Sequence, residues 1–308
     1  MSPLEISASS IAPTARAWLT NTHEARVLHI FDRACNLINE RREVLSVVTS
    51  QIGNGPFNLV IEDEILFFEH LNIESSTFII DDQLTLGDLT VNTANAKLWS
   101  PRADWDILHA QRNNILHQIM SLRANASERS NLWHREEIAS SVFGSASLHS
   151  DLLATTFPQL PFTNYQPLLS NLSSALASAD ISTAKAVASK LAGLGQGLTP
   201  AGDDFIIGAL YAAWIIYPYQ IAGTLAEEIA NTAAPLTTSL SAAWLRSAGR
   251  GEAGILWHEF LDALISANPV SIQGVMEKIL AVGETSGADA LAGFTSLFIY
   301  WGEHRQNL

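Results

Sequence analysis

Gly193-Leu-Gly-Gln-Gly-Leu-Thr-Pro-Ala-Gly-Asp-Asp204 runs straight into an apolar stretch, residues 205–217. Four glycines, a Thr-Pro step and two adjacent acids fall within twelve residues. Glycine permits backbone conformations and close approaches that side chains forbid. Thr199-Pro200 reads as a helix N-cap followed by a proline at the first helical position, which puts Asp203 and Asp204 in the first turn. What precedes the turn decides the fold. Residues 183–191 have helical spacing, so the turn joins helix to helix, not strand to helix. A Rossmann site needs a strand there, and the loop lacks the Lys-Ser/Thr of a P-loop. The stretch belongs to a helical region, and something approaches its backbone closely.

Outward from this turn the pattern stays helical toward the C-terminus, at 225–233, 239–248, 253–265, 272–282 and 289–301. Upstream, helices are expected at 105–122, 167–177 and 183–191. The segment 153–167, with Pro158, Pro161 and Pro167, reads as an ordered loop. The first third differs. Short β-rich runs at 26–31, 44–48, 57–61, 65–68, 77–80 and 89–91 are punctuated by Gly, Asn and Asp. The expected fold class is α+β. A β-rich N-terminal domain, a small barrel or sandwich, spans 1–104, and a larger all-helical domain carrying the Gly-rich motif spans 105–308.

Composition narrows the function. The 308 residues carry 31 acids against 17 bases, a formal net charge of -14. Binding nucleic acid requires basic surface to neutralise phosphates, so that class is excluded, as is an anionic membrane surface. The single cysteine, Cys35, rules out an intrachain disulfide and any multi-cysteine metal site; it reads as a small core residue. Met1-Ser-Pro-Leu-Glu-Ile-Ser7 shows no signal-peptide pattern. The longest apolar runs, 205–217 and 290–301, fall short of the ~20 residues a membrane span needs. A soluble, cytoplasmic protein is expected.

A glycine-rich turn feeding a helix N-terminus offers unpaired amides and a positive dipole end to an anion. Asp203 and Asp204 would repel that anion. Either they cap the helix, or they hold Mg²⁺ that bridges to the substrate. Arg246 and Arg250 are four apart and suited to forked contacts with carboxylate or phosphate; the alternative is a solvated helix face. Thr237-Thr-Ser239 is a second hydroxyl-rich helix start. An internal echo links Gly197-Leu-Thr-Pro-Ala-Gly-Asp-Asp-Phe-Ile-Ile-Gly208 to Gly283-Glu-Thr-Ser-Gly-Ala-Asp-Ala-Leu-Ala-Gly293. In each, an acid and a glycine four residues apart share one helix face (Asp204 with Gly208, Asp289 with Gly293). Two helices crossing closely at those glycines would bring their N-termini side by side; two independent caps are the alternative. The nine histidines, including His109, His117 and His134 in Trp133-His-Arg-Glu-Glu137, show no metal spacing, and no Gly-x-Ser-x-Gly elbow is present.

Three motifs together, the run at 193–204, Thr-Thr-x-x-Ser at 237–241 leading into Leu-Arg-x-Ala-x-Arg-Gly-Glu at 245–252, and Gly-x-Thr-Ser-Gly-x-Asp-x-Leu-x-Gly at 283–293, resemble the AllH-type family. The β-rich half resembles it mainly through Gly53-Asn-Gly-Pro-Phe-Asn58. The resemblance implies a subunit of a three-chain carbamoyltransferase of anaerobic allantoin degradation, converting oxalurate and phosphate to oxamate and carbamoyl phosphate. It implies companion subunits and small anionic metabolites as partners. On this reading Gly195, Gly197, Thr199, Gly202, Thr237, Thr238, Arg246, Arg250, Thr285 and Ser286 bind substrate. Asp203, Asp204 and Asp289 act at the reacting groups, by positioning and charge stabilisation without a covalent intermediate; Mg²⁺ at Asp203 and Asp204 is the candidate cofactor. Two other classes stay open: a non-catalytic scaffold or regulatory subunit, and a small-molecule phosphotransferase, against which the lysine-free loop counts.

Overall fold

The computed structural model describes residues 4–129 and 165–306. Residues 153–164 of the expected Pro-rich loop, and the segment around His134, lie outside the described residues. The chain divides into two compact units, residues 1–102 with 252–255, and residues 103–251 with 256–308.

The first unit is a nearly closed barrel. Its strands are β1 (Leu4–Ile11), β2 (Ala25–Ile30), β3 (Ala34–Asn39), β4 (Val44–Val48), β5 (Asn58–Ile61), β6 (Thr77–Ile80), β7 (Gln83–Leu86), β8 (Leu89–Asn92) and β9 (Lys97–Leu98). The sheet order is β2-β3-β4-β5-β1-β8-β7-β6, with β9 on β1. The end strands β2 and β6 come into contact. β1 makes this possible, pairing antiparallel with β5 on one side and parallel with β8 and β9 on the other, with a register shift between Ala8 and Ser10 that bends it. Alternate residues fill the interior, among them Cys35, Leu37, Leu45, Val47, Leu59, Leu84 and Val91. Burial pushes the Cys35 thiol up to about 12, as expected of an inert core cysteine. Helix α1 (Pro13–Asn21) starts on Pro13, and its Trp18 indole donates to the Glu43 carbonyl at 2.9 Å.

Residues 65–68 do not form the expected strand. The chain makes one helical turn instead, α2 (Phe67–His70). Its backbone bonds run to Asp32 and within the turn, not to a neighbouring strand, and Phe67 enters the core, with Ile65 packed against it, while Phe68 stays exposed. β1, β3, β7 and α1 were not expected from the sequence. The return segment 252–255 belongs to this unit through the Ala253 amide on Pro101 (2.8 Å) and the Ile255 amide on Asn54 (2.9 Å).

The second unit is helical among the described residues: α3 (Trp105–Ala110), α4 (Arg112–Arg129), α5 (Gln166–Ala177), α6 (Ile181–Leu191), α7 (Ala201–Ile216), α8 (Tyr219–Ala233), α9 (Ser239–Gly249), α10 (Ile255–Ser266), α11 (Pro269–Leu280) and α12 (Ser286–Gln306). The helix expected over 105–122 breaks at Gln111, whose amide bonds back to Ile107 and Leu108 and closes α3. α7 is the central helix. Every residue from Gly202 to Ile216 is buried, which is why it is apolar on all sides. No helix among the described residues is long and apolar enough to cross a membrane.

Candidate functional site

Among the described residues, α7 and α12 make the most extensive packing contact between helices. The crossing is close because Gly208 and Gly293 face each other's helix. A Cβ built on Gly208 would lie 2.6 Å from the Ala290 carbonyl carbon and 3.0 Å from its Cα. One on Gly293 would lie 2.8 Å from the Phe205 carbonyl carbon and 3.0 Å from the Ala209 amide nitrogen. Carbon atoms prefer about 3.5–4.0 Å, so only glycine fits at either place. One turn up from each glycine sits an acid, Asp204 on α7 and Asp289 on α12. The sequence echo is therefore a paired arrangement, with the two helix N-termini side by side.

The glycine turn closes over this junction. Gly195 has φ +119°, and a Cβ there would lie 2.7 Å from the Ala201 amide nitrogen. Gly197 has φ +92° in open space. The Gly202 amide donates to the Leu194 carbonyl at 2.9 Å, returning the turn onto α7. Among the described residues, nothing accepts a hydrogen bond from the backbone amides of residues 195–199, and Gln196, Gly197 and Leu198 are exposed. This leaves a run of unpaired backbone donors in a largely exposed turn.

The cap differs from the sequence expectation. Pro200, not Thr199, is the N-cap of α7, and its carbonyl accepts from the amides of Asp203 (2.9 Å) and Asp204 (3.2 Å). Thr199 is freed for a long-range contact, its hydroxyl lying 2.7 Å from that of Ser286 at the start of α12. Thr238 caps α9 by accepting from the Ser241 amide at 3.1 Å, and its hydroxyl donates to the Leu198 carbonyl at 2.6 Å. Thr285 supplies the first carbonyl of α12, accepting from the Asp289 amide at 2.9 Å. Three helix starts thus meet at the loop.

The three acids are all buried, and each has different partners. Asp203 is a brace. One oxygen accepts from the Gly193 amide at 2.9 Å and the other from the Thr237 hydroxyl. Burial raises its pKa, and those two donors and the Ser241 hydroxyl oppose the rise. Ser241 stands close without completing a well-formed hydrogen bond of its own. Asp204 turns to the other side, toward the Ser286 and Thr199 hydroxyls, and its Oδ2 has no partner. Burial holds its carboxyl well above the usual range, reinforced by the charges of Asp289 and Asp203. Asp289 is fully buried, and neither carboxylate oxygen has a hydrogen bond. Burial pushes it up to about 8, opposed by the nearby Thr285 hydroxyl. No Lys or Arg pairs with any of the three among the described residues.

Asp203 and Asp204, expected to share Mg²⁺, face different partners because successive helix positions point about 100° apart. Among the described residues no three His, Cys, Asp or Glu side chains are grouped to hold a metal ion. Arg246 and Arg250 are exposed near the C-terminal end of α9, two turns and more from its Thr238 cap. Thr199, Gly202, Thr237, Thr238, Thr285 and Ser286 come together with the acids. The sequence reading missed the Gly193 amide as the tie to Asp203, and Ser241 beside it. The hydroxyl-rich run Thr237-Thr-Ser-Leu-Ser241 was the available signal for the second.

Two family descriptions match the chain, oxamate carbamoyltransferase subunit AllH over residues 191–298 and the AllH family N-terminal domain over residues 6–98. The chain belongs to the AllH family. The first match begins at the end of α6 and takes in the glycine turn and all three helix starts. No solved structure matches the chain.

Proposed function

We propose that this chain is a subunit of a carbamoyltransferase acting on small anions, the carbamoyl donor oxalurate with phosphate, or oxamate with carbamoyl phosphate in reverse. The supporting observation is the pairing of two complementary surfaces at one place. The loop amides of 195–199 and the helix starts offer donors and positive dipole ends, which suit carboxylate or phosphate oxygens. The unpartnered oxygens of Asp204 and Asp289 offer acceptors, which suit the N–H groups of a carbamoyl or amide. Substrates carrying both an anionic end and an amide nitrogen match that division.

Gly195, Gly197 and Thr199 hold the anionic end in this reading. Thr238 and Asp203 keep the loop in place, and Asp204 meets the nitrogen. Arg246 and Arg250 fall outside the proposed site. Catalysis is positioning plus charge stabilisation. The family description names a subunit, so the activity belongs to an assembly with companion chains. The test is the Asp204→Asn variant assembled with those companions and assayed for carbamoyl phosphate formation from oxalurate and phosphate. Loss of turnover in an intact complex is the expected result. Wild-type turnover in that complex would leave the chain a scaffold.

A further inference from the structure

β6 turns two bulky apolar side chains outward. Burial alternates along Thr77-Phe-Ile-Ile80. Ile79 packs against the barrel core, while Phe78 and Ile80 lie on the outer face, 57% and 69% exposed. Two positions apart on one face, they are neighbours at about 7 Å. The ladder sets Phe78 opposite Thr85 and Ile80 opposite Gln83 on β7. The row from Phe78 continues through Thr85 to Thr90 on β8 and Glu5 on β1, and the Thr85 and Thr90 hydroxyls meet on it at 3.3 Å. β6 ends the sheet path. Such strands are ordinarily blunted by Lys or Pro against unwanted pairing, and β6 has neither.

The charge around this face has one sign. Residues 43–96 hold nine acids and no Lys or Arg. Asp81 and Asp82 make the turn between β6 and β7, Asp88 lies in the turn between β7 and β8, and Glu74 in the loop leading into β6. All four are exposed, as is Glu5. The nearest bases along the sheet are Lys97 on β9, paired with Ser10 near the other end of β1 from Glu5, and Arg26 on β2. A second copy of this chain would set acid against acid, and nucleic acid or an anionic membrane would be repelled. An apolar centre inside an acidic rim is complemented by an apolar centre inside a basic one.

We propose that the outer face of β6 and β7 is the docking surface for a companion chain of the carbamoyltransferase assembly, a protein that seats apolar side chains on Phe78 and Ile80 and rings them with Lys and Arg. This rests on the subunit reading above, and on no step of catalysis at the crossing of α7 and α12. Phe78 and Ile80 supply the binding energy, and the acids at the two ends of the strand steer the approach and fix the register.

Two double variants test the centre and the rim, each measured for affinity to the companion chains by surface plasmon resonance at low and high salt. Phe78→Thr with Ile80→Thr keeps strand propensity on an exposed face, so its urea unfolding curve should match that of the wild type. Its binding should weaken about 30-fold or more at every salt concentration. Asp82→Lys with Asp88→Lys should associate about tenfold more slowly at low salt and lose most of the salt dependence. Wild-type affinity in the apolar variant overturns the proposal, and an unchanged salt dependence in the charge variant overturns the basic rim. So does a dimer of the chain alone, seen by sedimentation equilibrium, that the apolar variant dissociates, because a second copy then covers the face. A wild-type chain that binds no companion overturns the subunit reading and the docking surface together. An assembly that forms through this face and transfers no carbamoyl groups refutes the activity alone and supports the docking surface.

Discussion

Gly208→Ala isolates the helix crossing on which the site depends. Alanine in a helix interior gains about 1 kcal/mol over glycine by propensity alone. At Gly208 the new methyl would stand 2.6 Å from the Ala290 carbonyl carbon, and its nearest atoms are backbone, which cannot rotate away. Relief requires α7 and α12 to part by on the order of 1 Å, and a gap of that size forfeits a quarter to a half of the dispersion energy at each contact it opens. Overpacking of this kind costs about 1–3 kcal/mol or more, and α7 with α12 is the largest helix contact among the described residues. With the backbone atoms unable to yield, the upper end of that cost, about 3 kcal/mol, less the propensity gain of about 1 leaves an expected net loss of about 2 kcal/mol, with carbamoyl transfer falling further because Asp204 and Asp289 move apart with their helices. Gly274→Ala is the control. Gly274 lies on the exposed face of α11 with nothing within 4 Å of an added Cβ, so it should gain about 0.5–1 kcal/mol. Urea unfolding of both variants, followed by circular dichroism, decides the matter. A Gly208→Ala variant as stable as the Gly274→Ala control would refute the reasoning.

Asp203→Ala leaves the Gly193 amide and the Thr237 hydroxyl without their acceptor, at a cost of about 1–3 kcal/mol; hydrogen exchange at Gly193 and Leu194, whose amides are bonded in the intact turn, should speed up. Thr238→Ala removes both a cap and the tie to Leu198, for about 0.5–2 kcal/mol by thermal unfolding, with Thr238→Ser restoring most of it. The isolated chain should lose stability as pH rises from about 4 to about 8. Asp289 ionises near 3.8 when unfolded and near 8 when folded, so the native state binds more protons across that window. Its contribution is complete below the unfolded value and gone above the folded one, with a ceiling on the order of 5 kcal/mol. Asp289→Asn should flatten the slope of unfolding free energy against pH, and an unchanged slope would count against the burial argument.

Local periodicity made much of the architecture legible. The all-apolar run after Asp204 reads as a buried helix because no polar stripe interrupts it, and α7 is buried from Gly202 onward. The β-rich first third reads as strands at five of its runs, misses β1, β3 and β7, and fails at residues 65–68, where a strand-like run has no neighbouring strand to pair with. At the site, the acid-and-glycine echo was visible because a four-residue spacing fixes a helix face. What each acid does was not. Asp203 and Asp204 are adjacent in sequence and equally acidic, and their partners, Gly193 with Thr237 and Thr199 with Ser286, come from different segments of the chain.

The sequence by itself determined most of the helices and several of the strands, that the loop could not be a P-loop, and that the two acid-and-glycine faces were alike, because these follow from local sterics and side-chain period. Only the tertiary structure decided that Gly208 and Gly293 lie against one another's helix. It also set Pro200 as the cap so that Thr199 reaches Ser286 across 87 residues of chain, and left Asp204 and Asp289 buried together without a cation. Burial and long-range pairing set a carboxyl's charge and partners, and neither is encoded within a few residues of the carboxyl itself.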